Sequence, residues 1–368
     1  MNILIASGTY PPEIGGMATF VKSLAQVLTK KGERVSVVAY GKNNDEEKNP
    51  FLIRLVSRRG GILARYIRYF FAVKKSAEQA DFIFAQDLAS SGLPAALVSR
   101  LTGKKLILRL GGDFLWEKMV QKGQTQAIFR EYYKRPKSII EKIYLTIFRF
   151  VLGQSSYVIF NNTLLQSVYK EVFSNEVKKS AIIYNPVIKH GSKQVKKEGN
   201  IVYAGRFLKL KNLETLIRVF AEIDTSKKLI LAGEGPEEEK LKRLTKVLRI
   251  GHRVEFLPRM SQAEVMEILA ESQLLVLPSL TDFNPNIVME ALAVTAVVVS
   301  RETGLPDEIK SVIKQFDPTN KEALKELMIE LLDEQKNADY REKLSQIKFD
   351  LSWEDAAQMH LEIFGKIL

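Results

Sequence analysis

Cysteine is missing from the whole 368-residue chain. Its absence excludes disulfides, thiolate metal sites and a cysteine nucleophile, and it agrees with a cytosolic protein. Histidine is scarce as well. His190, His252 and His360 are scattered, so a histidine-based zinc site is not expected. No apolar run reaches about 18 residues, so no transmembrane helix is expected. Residues 1–6 lack the charged leader and cleavage site of a signal peptide and read as a first strand. A G-x-G-x-x-G dinucleotide fingerprint does not follow that strand, and there is no tandem repeat or low-complexity tract.

Negative charge is short in one half only. Residues 1–200 hold 32 Lys and Arg against 15 Asp and Glu, a net of +17, whereas residues 201–368 hold 23 against 28, a net of −5. The whole excess of +12 therefore sits in the first half. A basic half suggests an anionic partner, with lipid headgroups or nucleic acid as the candidates. Nucleic acid ranks lower because no recognisable nucleic-acid module is present.

The length is too great for one ordinary core and suits two α/β domains. Short apolar runs alternate with helical patterns, which indicates βαβ units. Strands are predicted at 3–6, 35–40, 81–85, 105–110, 157–160 and 181–184, then at 200–204, 228–232, 254–257, 274–277 and 296–299. The first helix carries Phe20, Val21, Leu24, Val27 and Leu28 on one face, and a last helix carries Trp353, Ala356, Ala357, His360, Leu361 and Phe364. The polar, basic stretch 185–200 reads as a linker. The expected plan is two Rossmann-like, doubly wound domains facing a central cleft. Residues 1–186 form the first, 187–199 the linker, 200–350 the second, and 351–368 the closing helix.

The chemistry-bearing residues follow apolar runs. Arg206 and Lys211 share one loop, and two cations there can hold a diphosphate and offset its charge as a leaving group. Asp282-Phe283-Asn284-Pro285-Asn286 reads as a helix start with Asn284 as N-cap and Pro285 at N1, offering N–H groups to phosphate oxygens. Asn286 and Glu290 then share a face, and Glu290 can accept hydrogen bonds from a ribose diol while Asp282 lies nearer a sugar. An acidic helix start complementing the macrodipole accounts for Asp282 but poorly for Glu290. Gly15-Gly16 and Gly233-Glu234-Gly235-Pro236 are strand-to-helix turns where a ligand can approach the backbone. Asp113 either orients or deprotonates an acceptor hydroxyl or caps the helix around Trp116. Arg58-Arg59, residues 63–75 and residues 130–149 combine cations with aromatic bulk, as in helices that lie on an anionic membrane or in core helices with a solvated basic face.

Taken in order, these motifs resemble the retaining GT-B glycosyltransferases of family four (glycosyl transferases group 1) over nearly the whole chain. The resemblance rests on Pro11-Pro12 with Gly15-Gly16, Tyr184-Asn185-Pro186, Gly205-Arg206 with Lys211, Gly233-Glu234-Gly235-Pro236 and Val276-Leu277-Pro278-Ser279. Its most specific part is an E-x7-E element represented by Asp282 and Glu290. The resemblance implies Arg206 and Lys211 on the donor diphosphate, Glu290 on the ribose and Asp282 at the donor sugar, with Asn286, Ile287 and Gly233 in the donor site. Gly15 and Gly16 would face the diphosphate from the other domain, and the last helix would cross back to the first domain.

Departures include Asp282 for the first glutamate, Val294, Thr295 and Val297 at usually small positions, Thr303-Gly304 for a glycine pair, and Gly112-Asp113 near a usual histidine. The expected activity is transfer of a hexosyl-type sugar from a UDP- or GDP-sugar to a hydroxyl of a glycan, lipid-linked or other acceptor, with retained configuration. No cofactor or metal is expected, because the nucleotide-diphosphate sugar is a substrate and its charge is assigned to Arg206, Lys211 and backbone N–H groups. The expected place is the cytoplasm, peripheral on the cytoplasmic face of a membrane, met through the basic first domain. A nucleotide-sugar epimerase of similar fold and a non-catalytic, membrane-associated nucleotide-sugar-binding protein remain as alternatives.

Overall fold

A computed structural model describes residues 1–13, 15–41, 49–186, 199–347 and 349–368. All but the last residue of the expected linker 187–199 lies outside them. The chain divides into two compact units. One comprises Met1–Leu115, Pro136–Pro186 and Leu351–Leu368; the other comprises Trp116–Arg135 and Val187–Asp350.

The first unit alternates strands and helices: β1 (Asn2–Ser7), α1 (Gly16–Lys30), β2 (Arg34–Tyr40), β3 (Leu52–Val56), α2 (Ile62–Ala77), β4 (Phe82–Ala85), α3 (Gly92–Thr102) and β5 (Lys105–Leu110). Helix α4 (Phe114–Gln121) leads into the second unit, where α5 (Phe129–Lys134) lies; the chain then returns through α6 (Ile139–Gln154), β6 (Ser155–Phe160), α7 (Thr163–Val172) and β7 (Ser180–Ile182). These strands form a parallel sheet of order β3-β2-β1-β4-β5-β6-β7. The near-continuous apolar burial of β1, β4 and β5 is what a parallel sheet covered on both faces demands.

The second unit carries β8 (Ile201–Ala204), α8 (Leu213–Ala221), β9 (Leu229–Ala232), α9 (Glu238–Val247), β10 (Val254–Leu257), α10 (Gln262–Glu271), β11 (Leu274–Leu277), α11 (Asn286–Ala291), β12 (Ala296–Ser300), α12 (Asp307–Lys310), β13 (Lys314–Phe316), α13 (Lys321–Leu332) and α14 (Glu334–Ser345). Its sheet is parallel with order β10-β9-β8-β11-β12-β13. Both sheets are doubly wound, with the order reversing between β1 and β4 and between β8 and β11.

Strands β3 and β13 were not among the predicted ones. β3 is a partly exposed edge strand interrupted by Arg54, and β13 is three residues long with two polar ones, so neither shows an apolar run. The last helix, α15 (Trp353–Ile367), belongs to the first unit. A capping box of Ser352 and Asp355 starts it. Phe364 packs against Phe82 and Phe84 with ring centroids 4.7 and 5.1 Å apart, and Trp353 lies 5.5 Å from Phe20 on the predicted apolar face of α1. Arg109 is buried beside this contact, 3.4 Å from the Phe20 ring, and donates to Asn185 Oδ1 at 2.5 Å. Burial pushes its guanidinium down to about 9.

Candidate active site

Doubly wound sheets bind ligands at the carboxyl ends of their strands, where the strand order reverses. In the second unit that place lies between β8 and β11. The loop after β8 carries Arg206 and Lys211, and the loop after β11 carries Asp282. Leu280 N–H donates to Leu210 O at 2.8 Å and stitches the two loops together. Lys211 Nζ then stands 2.5 Å from Asp282 Oδ2, with the two side chains 20% and 10% exposed.

Local structure delivers both groups. Lys209–Lys211 is one turn of 3-10 helix, ended by Asn212 at φ 54°, a left-handed conformation that asparagine tolerates better than most residues. Thr215 Oγ1 donates to Asn212 Oδ1 at 2.8 Å and leads the chain into α8. The Asp282 backbone is held on both sides: its N–H donates to Glu302 O at 2.9 Å, and its carbonyl accepts from Gly304 N–H at 2.7 Å. Tyr203 is buried under this loop pair and donates to Arg206 O at 3.0 Å. Burial, and then the nearby Asp282 carboxylate, push its phenol well above the ordinary tyrosine range, so it stays protonated. The Arg206 side chain is exposed.

Glu290 lies on α11, half-buried, and its Oε1 accepts from Gln262 Nε2 at 2.9 Å. Asn286 is exposed and Ile287 packs against the core. The expected cap needs correction. α11 begins at Asn286, with Pro285 in the cap position at ψ 58° and no side-chain cap. The backbone N–H of Asn284 instead donates to Asp282 Oδ1 at 3.3 Å, so the acid shapes the turn that Asn284 was expected to shape.

Gly233 has a structural duty of its own. A Cβ there would lie 2.0 Å from Gly205 O, and its φ of 142° disfavours a side chain as well. Close packing of the two loops, sealed by Gly205 N–H to Ala232 O at 2.9 Å and Phe207 N–H to Glu234 O at 2.8 Å, fixes the base on which Arg206 stands.

In the first unit, Gly15 and Gly16 start α1 and face open space, with nothing within 4 Å of either Cβ position. Asp113 is completely buried, and its Oδ2 accepts from Tyr169 OH at 2.8 Å. As placed, that carboxylate meets a phenol rather than solvent. Among the described residues no group of three or more His, Cys, Asp and Glu side chains is arranged to hold a metal ion.

Residues 116–135 add something that sequence reasoning missed. They pack in the second unit around both neighbours of Asp282. Phe129 N–H donates to Thr281 Oγ1 at 3.0 Å, and the Phe283 ring stands edge-on to Trp116 and Phe129 at 5.7 and 4.8 Å. Gln121 Oε1 accepts from Lys209 N–H at 3.1 Å, so the same stretch also steadies the turn that holds Lys211. Arg130 Nε lies 3.7 Å from Glu302 Oε2, too far to hydrogen-bond. Burial therefore dominates at Glu302, and its carboxyl stays above the ordinary range although Arg130 pulls it down.

Two family models match in succession: Glycosyltransferase Family 4 over residues 14–188, and Glycosyl transferases group 1 over residues 186–348. The chain belongs to the group 1 glycosyltransferases. An uncharacterised glycosyltransferase of Methanocaldococcus jannaschii is 24% identical over 335 residues, covering 84% of this chain and 83% of that protein. Sucrose-phosphate synthase of Thermosynechococcus elongatus superposes with a TM-score of 0.78 at 16% identity, covering 100% and 99% of the two chains. HepE of Anabaena, solved with UDP, gives 0.76 at 16% identity, covering both chains fully. These likenesses agree with the GT-B fold expected of a group 1 glycosyltransferase.

Two substitutions test the site's construction. Gly233→Ala should cost on the order of 3 kcal/mol and lower the melting temperature by several degrees; an unchanged thermal unfolding curve would contradict the loop packing. Because the folded-state pKa of Glu302 is raised, its protonated form favours folding, and that stability is lost as pH rises through the folded value. Glu302→Gln should therefore gain on wild type in thermal stability between about pH 4 and pH 7. A variant that loses ground over that range would show that the Arg130 ion pair outweighs desolvation.

Proposed function

We propose that this group 1 glycosyltransferase moves a hexosyl-type sugar from a UDP- or GDP-sugar to a hydroxyl of a glycan, lipid-linked or other acceptor, with retained anomeric configuration. The observation that carries this reading is the meeting of Lys211 and Asp282 where the strand order reverses between β8 and β11. An ammonium has three donors. With one turned to Asp282, the others are available to pyrophosphate oxygens, and Arg206 on the same loop supplies a second cation. Glu290 would take the ribose diol in exchange for Gln262, and Asp282 would meet the sugar hydroxyls. Gly233, Asn286 and Ile287 would border the donor, and the Gly15-Gly16 turn, open at both Cβ positions, is kept as a further donor contact.

In the proposed step the bond from the anomeric carbon to the β-phosphate oxygen breaks, and its electron pair leaves on that oxygen. Arg206 and Lys211 stabilise the charge as it builds, which is the largest contribution such a site can make. The acceptor oxygen bonds to the anomeric carbon from the same face. Its proton passes to the departing phosphate oxygen, the base nearest to a same-face attack. Asp113, buried and bonded by Tyr169, acts in this scheme through the loop that carries it rather than directly on the acceptor. Charge neutralisation falls to the two cations and to backbone N–H groups rather than to a metal ion. The basic excess of residues 1–200 favours an acceptor met at an anionic, cytoplasmic membrane face.

A mass-spectrometric screen of UDP- and GDP-sugars against an acceptor panel tests the reading. Wild type should form a glycosylated acceptor, and Arg206→Ala/Lys211→Ala should lower turnover by about 10²-fold or more. Unchanged turnover in that variant would discard the cation assignment. Conversion of donor without acceptor would identify an epimerase, and donor binding without any product a binding protein.

A further inference from the structure

Large apolar side chains are exposed very unevenly. Of the sixteen such residues among those described, ten lie on α2, α3, α6 and the first residue of α4. Helix α3 packs against α2 on one side and α6 on the other, so the three share one face of the first sheet. On α2 three stripes separate. Tyr69, Val73 and Ala77 are buried, whereas Leu63, Ile67 and Phe71 form an outward row at i, i+4 and i+8. Arg68 and Lys75 flank that row. On α6, Ile139, Ile140 and Ile143 open the helix on a single side, and Ile139 is 79% exposed.

The apolar ends of α2 and α6 lie on either side of α3, at the same edge of the sheet. Tyr66 of α2 donates to Ala89 O, just before α3, at 3.0 Å. Its phenol is raised by burial, then by Asp87, and in lesser part by Tyr144 of α6. Tyr144 in turn packs on exposed Phe114 with ring centroids 5.8 Å apart. All strands of this sheet are parallel, and α2, α4 and α6 all begin at their carboxyl edge. That edge is where a doubly wound sheet receives its ligand.

Charge chooses the occupant. α2, α3 and α6 contain one carboxylate between them, Glu141, and it is buried in a capping box with Ser138. The same helices carry Arg65, Arg68, Lys74, Lys75, Arg100, Lys142 and Arg149. Exposed apolar rows flanked by cations, with no exposed carboxylate, suit an interface with anionic headgroups above acyl chains. They suit a water-facing surface poorly.

We propose that the carboxyl-edge end of α2 and α6, with Phe114, is a docking surface for an anionic phospholipid bilayer, with Leu63, Ile67, Ile139 and Ile140 seated among the acyl chains. The inference rests on the anionic-surface reading above and adds apolar insertion at one defined place. It places the acceptor's entry at the bilayer surface, so the acceptor class it selects is lipid-anchored.

Co-sedimentation of the full chain with phosphatidylglycerol–phosphatidylcholine vesicles and with pure phosphatidylcholine vesicles tests it. Wild type should pellet with the mixed vesicles. Leu63→Ser/Ile67→Ser/Ile139→Ser/Ile140→Ser should partition at least tenfold less, with unchanged circular dichroism and melting. Val247→Ser/Ile329→Ser, which alters exposed apolar residues of the second unit, should pellet like wild type. If the fourfold variant pellets like wild type, the insertion surface is refuted and only a charge-driven contact stands. If wild type pellets with neither vesicle, both readings fall. A wild-type dimer in sedimentation equilibrium that the fourfold variant abolishes, without vesicle binding, would make this face a contact between copies.

Discussion

The candidate site depends on one ion pair across the reversal of a parallel sheet. Lys211 and Asp282 are 71 residues apart in sequence, yet their loops leave the adjacent strands β8 and β11, and the Leu210–Leu280 backbone bond closes the distance. Neither side chain is well exposed, so each charge would be costly without the other. The pair therefore holds a cation and a carboxylate in a fixed relation, which is what the proposed seat for a sugar diphosphate requires. Arg206, Gly233 and Tyr203 are arranged around it by close loop packing rather than by long flexible contacts.

Support for the pair comes from a distant part of the chain. Residues 116–135 grip Thr281 and Phe283, on either side of Asp282, and Gln121 holds the backbone of Lys209. The same stretch connects β5 with α6, both of the first unit. The acid's position thus depends on residues from both halves of the sequence. Such positioning bears on the role proposed for Asp282, because small displacements of a reacting group cost large factors in rate.

How much of this could be read from the amino-acid sequence depended on range. Arg206, Lys211 and Asp282 were readable because each follows an apolar run, and strand-then-loop order alone puts them at the carboxyl edge of one sheet, whereas Glu290 was read from its helical spacing to Asn286 on α11. Both sheets follow from the same alternation. The start of α11 was misread because cap rules consider one side chain at a time, while here the Asp282 carboxylate and the Pro285 backbone jointly set the turn. The engagement of Glu290 by Gln262, the grip of residues 116–135 and the buried Glu302 are tertiary facts without a local signal. Helix α6 is apolar nearly all round, so periodicity could not say that Ile139, Ile140 and Ile143 face outward; only the packing of α3 against it does.

The central claim is that the Lys211–Asp282 pair and Arg206 form a seat for a pyrophosphate. Titration calorimetry comparing each nucleoside diphosphate, UDP and GDP, with its parent nucleoside measures that seat directly. The account predicts that one diphosphate binds at least about 10²-fold more tightly than its nucleoside, the contribution expected of charge-assisted contacts to two cations. Equal affinities of diphosphate and nucleoside would contradict it.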